Sequence, residues 1–280
     1  MRKDIHVVFI GLDGWGSYDL EQSFAHMPHV KTYAREGIYT DNKIAVLPTI
    51  SAPNWASMFM GAHPDEHGFI QNTKKPSISY SFEVKNRIFP TISQLVRNED
   101  PTSNIGLFCQ WGGLLYLVDT KSIDYVCHIP RIFPYSHRML TNKVIRYVKE
   151  SMPVLCTIVY DDLDHKGHKY GYFSDKYFQG LEYMDESIER IIEAYKEAGI
   201  YENTVFILTS DHGGNGRTHG SNSLKEMKTP LIMWGKRIRN IGFCDDKIEQ
   251  KDVAAIMAAI LNVKMPAIWS GNSHLNYLNS

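Results

Sequence analysis

An α/β fold with a layered sheet is predicted, because apolar strand patterns alternate with helical patterns along the whole chain. Several short runs rich in β-branched residues have the length and apolar character of buried strands in a parallel sheet. They cover residues 6–12, 105–109, 154–160, 205–209 and 231–234. Helical spacing of apolar residues is clearest over residues 174–198, followed by Gly199 as a predicted C-cap, and over residues 252–261.

The remaining long segments are predicted as loops. Residues 73–89 are polar and irregular, and residues 121–138 contain Pro130 and Pro134. The 280 residues contain no internal repeat and no linker rich in Pro, Gly or Ser. We therefore predict a single domain that covers residues 1–280.

Composition and charge restrict the class of protein. Hydrophobic residues make up 43% of the chain and charged residues 22%, which is typical of a globular protein. The 30 Lys and Arg residues nearly balance the 31 Asp and Glu residues. Proteins that coat nucleic acids or membrane surfaces need a basic excess, so we expect neither nucleic-acid polymer binding nor surface adsorption. No segment approaches the ~20 apolar residues of a membrane span.

The cysteines and the N-terminal segment favour a cytoplasmic location. Cys109, Cys127, Cys156 and Cys244 lie far apart without CxxC spacing, and we interpret them as reduced, mostly buried thiols. The apolar run after the basic N-terminus is short, ends at Asp13 and lacks a small-residue cleavage site. It predicts a first strand rather than a signal peptide.

Carboxylates and imidazoles follow three of the predicted strands, at the sheet edge where open α/β sheets bind ligands. One such residue alone is usually a helix cap or a solvated loop residue, but caps do not explain three strand ends together. Carboxylate and imidazole groups suit zinc and similar divalent ions. These residues are Asp13 after the first strand, Asp161, Asp162, Asp164 and His168 after the third, and Asp211, His212 and His219 after the fourth.

Ser51 is the candidate nucleophile. Pro53 favours the first turn of a helix, which places Ser51 just before that helix. Ser51 could simply be an N-cap, since serine is a preferred residue there. A helix N-terminus also favours an alkoxide and a phosphate, because its N–H groups and dipole attract negative charge. Given the metal-ligand types on neighbouring strand ends, we predict a nucleophile.

Taken together, the motifs resemble the alkaline phosphatase superfamily, in particular its nucleotide pyrophosphatase/phosphodiesterase branch. The branch has a Pro-Thr-x-Thr-Phe-Pro-Asn segment, which residues 48–54 match with Ser51 in the position of the nucleophilic Thr. A Gly-x-x-Pro-x-x-His-Gly run follows at residues 61–68, and then Asn72. Residues 164–168 match Asp-x-x-Gly-His, and residues 210–213 match Ser-Asp-His-Gly. The resemblance extends from Val7 to about Gly271.

This resemblance implies a three-layer sandwich, with a mostly parallel central sheet, helices on both faces and no large cap insertion. It also implies two divalent metal ions, with zinc expected and manganese acceptable to the same ligands. Asn72 would donate a hydrogen bond to a non-bridging phosphate oxygen. The implied ligands are Asp164, His168 and His219 for one ion, and Asp13, Asp211, His212 and the Ser51 oxygen for the other.

Some residues depart from the family pattern or resist a functional interpretation. The nucleophile is Ser where the branch has Thr, and His219 follows His212 without the long insertion of eukaryotic members. We interpret His67 as structural despite its position near Ser51. Asp161 and Asp162 are expected to bond to the backbone or to histidines rather than to metal.

The predicted function is hydrolysis of phosphate esters, specifically phosphodiesters or nucleotide pyrophosphates, through a phosphoseryl intermediate. Two divalent cations against three carboxylates leave one net positive charge, which suits a monoanionic diester better than a dianionic monoester. A monoesterase would need a further positive charge at the site, and no particular Arg can be assigned to that role from the sequence. Arg217, Lys74, Lys75 and Lys166 are the candidates. The small-molecule leaving group and the oligomeric state are not readable from the sequence.

Other functions fit less well. A phosphonate hydrolase or a phosphomonoesterase or mutase of the same superfamily is the main alternative. A sulfatase would have Arg where Trp55 follows the Ser51-Ala-Pro-Asn segment. Only a weak glycine motif around Asp13 suggests a dinucleotide-binding dehydrogenase. Its glycines are not in the G-x-G-x-x-G order, and the Asp13 carboxylate would repel a bound pyrophosphate. A metal-dependent binding module without turnover is the non-enzyme alternative, and Ser51→Ala separates it from an enzyme.

Overall fold

A computed structural model describes residues 4–80, 88–133 and 135–279 of the chain. The described strands are β1 His6–Leu12, β2 Ile38–Ile44, β3 Ile105–Cys109, β4 Tyr125–His128, β5 Leu155–Tyr160, β6 Thr204–Thr209, β7 Lys228–Gly235, β8 Gly242–Phe243 and β9 Ile248–Glu249. They form one sheet in the order β4-β3-β5-β1-β6-β7-β2-β8, and β9 pairs with β2.

Helices connect most of these strands. The described α-helices are α1 Leu20–Ala25, α2 Pro28–Glu36, α3 Ser51–Met60, α4 Pro64–His67, α5 Ile92–Glu99, α6 Ser136–Ser151, α7 Asp162–Tyr170, α8 Asp175–Glu197, α9 Leu224–Met227 and α10 Asp252–Leu261. None of them combines the length and apolar composition that a membrane crossing requires. The predicted helices over 174–198 and 252–261 are therefore confirmed as α8 and α10.

The sheet is mostly parallel, as predicted. Strand β1 lies between β5 and β6 and runs parallel to both. Strand β3 lies between β5 and β4 and is likewise parallel to both. Strand β7 is antiparallel to β6 and to β2. The segment between β6 and β7 contains only the short helix α9, rather than the long crossover helix that usually joins parallel strands.

Two apolar cores cover the two faces of the sheet, which makes the three-layer sandwich. Alternate residues of β1 point to opposite faces: Val7 and Phe9 join one core, and Val8 and Ile10 join the other. The first core is completed by buried residues of α3, α5 and α10. The second core is completed by α1, α2, α6, α7 and α8.

One predicted loop contains regular structure instead. Within residues 121–138 the structure has strand β4 and the start of helix α6. Strand β4 was missed because it is only four residues long, and most of its side chains are exposed at the sheet edge. Strand β2 was also missed, because the polar residues in IYTDNKI mask its strand pattern. Residues 81–87 of the predicted loop over 73–89 lie outside the described residues, and so does Pro134 of the predicted loop over 121–138.

Candidate active site

The predicted strand-end residues converge at the carboxyl edge of the central strands. Asp13 directly follows β1, and Asp211 and His212 follow β6. Helix α7 begins just after β5 and carries Asp164 and His168 one turn apart on the same side. Because β5, β1 and β6 are adjacent and parallel, these separate segments of sequence meet in one place.

The first cluster, which we call the buried group, consists of Asp13, Asp211 and His212. All three side chains are buried. His212 Nε2 lies 3.2 Å from Asp211 Oδ2 and 3.6 Å from Asp13 Oδ1. Gly14 N–H donates to the other oxygen of Asp211, and Trp55 Nε1–H donates to the other oxygen of Asp13, both at 3.2 Å. Asp13 Oδ1 and Asp211 Oδ2 have no hydrogen-bond partner among the described residues.

The second cluster, the outer group, consists of Asp164, His168 and His219. His168 Nε2 lies 3.3 Å from Asp164 Oδ2, and His219 Nε2 lies 3.4 Å from Asp164 Oδ1. The two histidine Nε2 atoms are 3.1 Å apart. His219 reaches this position through a tight turn closed by the Asn215–Thr218 bridge. A short connection after His212 therefore suffices to bring His219 to the cluster.

The backbone determines which nitrogen of each imidazole faces the clusters. Nδ1 of His168 contacts the carbonyl of Arg217 at 2.9 Å, and Nδ1 of His219 contacts that of Thr49 at 2.7 Å. Nδ1 of His212 contacts the carbonyl of Gly213 at 2.9 Å. A carbonyl only accepts, so each Nδ1 carries the proton. In the neutral rings each Nε2 then presents a lone pair to the neighbouring carboxylates, an arrangement typical of metal-binding histidines.

Both groups fit divalent cations by this donor chemistry. Lone pairs of carboxylates and imidazoles face one another at short distances, and buried acceptors are costly without a donor or a cation. Each group has one ligand atom per residue, and the three atoms lie within 4.8 Å of one another. Asp13, Asp161 and Asp164 satisfy the same distance criterion. Two oxygen- and nitrogen-rich sites of this kind suit zinc or manganese.

The close approach of carboxylates and imidazoles shifts the pKa values of several groups in the site. Burial and the neighbouring Asp211 carboxylate raise the pKa of Asp13 well above its usual value. Burial acts in the same direction on Asp164, but hydrogen bonds with His168 and Tyr172 and the charges of nearby histidines hold its pKa below the ordinary range. The Asp164 contact raises the pKa of His168 to about 9. Protons therefore compete with a cation for the lone pairs of the outer group.

Ser51 lies beside the buried group. Helix α3 begins at Ser51, its N-cap is Ile50, and no side chain caps it in the usual way. The N-cap interpretation of Ser51 is therefore wrong. Its Oγ instead lies 3.4 Å from Nε2 of His212.

Asn72 contacts the same helix end. Its Oδ1 accepts a hydrogen bond from the backbone N–H of Ala52 at 2.8 Å. This bond fixes the amide plane and places the side chain next to Ser51. The remaining Nδ2 donors have no hydrogen-bond partner in the described parts of the chain. Both predicted catalytic residues thus lie at one helix terminus.

Several supporting residues could not be predicted from the sequence. The buried Tyr172 donates to Asp164 Oδ1 at 2.5 Å. Lys43 is fully buried in β2, and its Nζ donates to the carbonyl of Ser210 at 2.8 Å and to the side chain of Gln250. Gln250 in turn contacts the backbone of Asp211. A charged residue in a predicted strand is normally exposed, so only the packing shows that Lys43 supports the loop that carries Asp211 and His212.

Two of the cations proposed from the sequence stack on aromatic rings, Arg217 contacts His168 through its backbone carbonyl, and a further cation is near the site. Lys74 and Lys166 sit over the rings of Tyr116 and Tyr183. Arg131 Nε forms an ion pair with Asp161 Oδ2 at 3.2 Å. Arg131 lies in a segment predicted as a loop, so the sequence did not indicate this contact. Asp162 Oδ1 lies 3.7 Å from Nδ1 of His137, which agrees with the expected histidine contact. Asp161 pairs with an arginine instead of the expected backbone or histidine partner, and it also belongs to a cluster that could hold a cation.

The type I phosphodiesterase / nucleotide pyrophosphatase family matches residues 7–229 of the chain, which include every proposed metal ligand and Ser51. The chain belongs to this family. The human ectonucleotide pyrophosphatase/phosphodiesterase family member 1 is 25% identical over 222 residues. Human bis(5'-adenosyl)-triphosphatase ENPP4 is 22% identical over 216 residues.

These relatives of the family are longer than the matched region. Each match covers 74% of this chain, but only 23% of family member 1 and 47% of ENPP4. Among solved structures, human ectonucleotide pyrophosphatase/phosphodiesterase 5 superposes with a TM-score of 0.77 at 15% identity. The superposition covers 98% of this chain and 100% of the other chain. The alkaline phosphatase-like fold predicted from the motifs is therefore confirmed.

Proposed function

We propose that this chain hydrolyses phosphodiesters or nucleotide pyrophosphates, with Ser51 as the nucleophile and two divalent ions held by the buried and outer groups. One observation carries the proposal: Ser51 Oγ lies 3.4 Å from His212, beside two clusters whose lone pairs face each other. Relatives of the chain have names that describe nucleotide pyrophosphatase and phosphodiesterase activity, which supports the same class of substrate.

The proposed reaction has two displacements. Ser51 Oγ forms a bond to phosphorus while the bond to the leaving oxygen breaks. The serine proton passes to solvent, and the leaving group departs and takes up a proton from solvent. Water then attacks the phosphoseryl group and restores the Ser51 hydroxyl. Bound metal ions would supply the positive charge that makes the serine and the water more acidic and stabilises the phosphoryl oxygens.

The protein groups around Ser51 orient the phosphoryl group. The N-terminus of α3, a helix of ten residues, directs backbone N–H groups and a positive dipole end toward it. Asn72 Nδ2 is available to donate to a non-bridging oxygen, because Oδ1 is already held by Ala52 N–H. These are fixed donors, and preorganised donors favour the transition state over the ground state.

Charge favours diesters among the possible substrates. Asp13, Asp164 and Asp211 leave one net positive charge after two divalent ions bind, which matches a monoanion. Arg131 is already paired with Asp161, so it adds no net charge to the centre. The phosphonate hydrolase and the phosphomonoesterase or mutase remain the alternatives that a substrate comparison must test.

Metal content and turnover of p-nitrophenyl substrates test the proposal. We expect about two metal ions per chain, and faster hydrolysis of bis(p-nitrophenyl) phosphate than of p-nitrophenyl phosphate or p-nitrophenyl phenylphosphonate. Ser51→Ala should lower kcat at least about a thousandfold while metal content stays unchanged, since the hydroxyl is the attacking group. Ser57→Ala, in the same helix but bonded to His67, is the matched control and should keep its activity.

Each contrary outcome has a definite meaning. Dominant monoester turnover would assign the chain to the phosphatase or mutase alternative, and dominant phosphonate turnover to the phosphonate hydrolase. Metal binding without turnover of any substrate would support the binding module. Full activity of Ser51→Ala would refute the nucleophile.

A further inference from the structure

A cavity of about 430 Å³ opens beside the candidate metal centre, and the function proposed above does not use it. Its walls include the apolar side chains of Trp111, Pro130 and Ile132. Its polar lining consists of Gln110, His128, Arg131, Asp161 and His165, among which Arg131 and Asp161 form an ion pair. The Asp161 carboxylate also belongs to the triad with Asp13 and Asp164, so the cavity and the candidate metal centre share this residue.

The guanidinium of Arg131 is held in a defined orientation. Its Nε pairs with Asp161 Oδ2 at 3.2 Å, and the side chain of Asp161 is only 10% exposed. The backbone N–H of Asp161 donates to Gln110 Oε1 at 2.8 Å, and Gln110 Nε2 donates to Ser136 Oγ at 2.8 Å. Gln110 itself is buried. These buried hydrogen bonds therefore fix the backbone of Asp161, whose carboxylate pairs with Arg131.

The rest of the guanidinium is available to a ligand. Arg131 has its one ion pair through Nε, and its two terminal nitrogens have no partner in the described ranges of the chain. Two parallel N–H groups on a rigid fork match the oxygens of a carboxylate or a phosphate. An aliphatic segment in front of such an anion would lie against the apolar walls of the cavity.

We infer that this cavity is a subsite for a substrate arm that ends in an anion, with Arg131 as its specificity-determining residue. The inference rests on the proposed function and names a substrate class for it. The substrate is a phosphodiester in which one alcohol carries a carboxylate or a further phosphate a few bonds from the reacting phosphorus. The metal centre then holds the reacting phosphate, and Arg131 binds the terminal anion.

Paired competitive inhibitors test the subsite. We would measure inhibition of bis(p-nitrophenyl) phosphate hydrolysis by 3-carboxypropyl phosphate and by its neutral carboxamide analogue, 3-carbamoylpropyl phosphate. In the wild type we expect the carboxylate to bind about tenfold or more tightly, the factor that one charge-assisted hydrogen bond provides. Propane-1,3-diyl bisphosphate, measured in parallel, shows whether the terminal anion is preferred as phosphate or as carboxylate.

Substitutions assign the preference to one residue. Arg131→Gln should bring the ratio of the two inhibition constants to about one, and Arg131→Lys should leave an intermediate ratio, because it keeps the charge but loses the fork. Arg138→Gln is the matched control, since Arg138 is 57% exposed and contacts Glu186 and Tyr135 instead. It should retain the wild-type ratio and the wild-type turnover.

The two proposals can fail separately. A ratio near one in an active wild type, or a full ratio in Arg131→Gln, would overturn the subsite and leave the hydrolase intact. If the wild type does not hydrolyse the diester, the proposed function fails. Calorimetric binding of the same inhibitor pair to the metal-loaded protein would then decide whether Arg131 discriminates between them.

Discussion

At the scale of single residues, the site depends on groups that hold its candidate ligands in place. Tyr172 is the clearest, because its buried hydroxyl donates to Asp164 at 2.5 Å. Burial and the nearby carboxylate raise the pKa of Tyr172, so the hydroxyl stays protonated as a donor. Donors behind a metal-binding carboxylate orient it and tune its affinity.

Tyr172→Phe should therefore weaken metal binding without removing a ligand. We expect the metal affinity of the outer group to fall about 10- to 100-fold, the usual range for loss of a supporting hydrogen bond. Competition with a chelator measures this, and excess metal should restore turnover. Tyr170→Phe is the control, because Tyr170 lies nearby on α7 but is exposed. An unchanged affinity in Tyr172→Phe would contradict the assigned role.

At the scale of elements, helices α3 and α4 are joined through His67. This residue is fully buried: its Nδ1 accepts from Phe69 N–H at 3.1 Å, and its Nε2 lies 3.0 Å from Ser57 Oγ. Because Nδ1 accepts, the neutral ring carries its proton on Nε2 and donates to Ser57. The expectation that His67 is structural agrees with these contacts. Burial lowers the pKa of His67 to about 3.

This shift makes the stability of the metal-free protein depend on pH. The unfolded chain protonates His67 near pH 6.5, whereas the folded chain does so only near pH 3, so acid favours unfolding between these values. The free energy of unfolding should fall by about 1.4 kcal/mol per pH unit more in the wild type than in His67→Asn. Denaturant titrations at several pH values measure the difference. Parallel pH dependences in the two proteins would show that His67 does not contribute.

At the scale of the whole molecule, the candidate ligands come from distant parts of the chain. Asp13 follows β1, Asp164 lies on α7, and Asp211 follows β6. Without a cation these carboxylates repel each other, which is one reason why the pKa of Asp13 is raised. Metal binding should therefore stabilise the tertiary structure as well as enable the proposed reaction, because the ligand positions exist only in the folded chain.

Asp13→Asn separates these two effects. Removing one buried negative charge should raise the melting temperature of the metal-free protein, because burial and the neighbouring carboxylates disfavour the charged form. The same change should reduce the stabilisation by zinc, which for an intact site is about 2.7 kcal/mol at a hundredfold excess over Kd. Thermal melts with and without zinc measure both quantities. A metal-free variant that melts below the wild type would contradict the repulsion argument.

The sequence alone determined the fold class, the central strands and the residue types of the site. The buried strands β1, β3, β5 and β6 are readable because continuous apolar runs need burial on both faces. The polar residues that follow β1, β5 and β6 had to meet, since parallel neighbours end at one edge of the sheet. The motifs around Ser51 and Asp211 then indicated the family.

Only the tertiary structure determined the contacts between residues that are far apart in the sequence. Ser51 begins helix α3 instead of capping it, and the backbone carbonyls that orient His168 and His219 come from other segments of the chain. Lys43 and Arg131 carry no local signal, because burial and pairing of a charge depend on segments far away in sequence. Local patterns report the burial of a strand or helix face. The partner of a single polar atom is determined by how those faces pack.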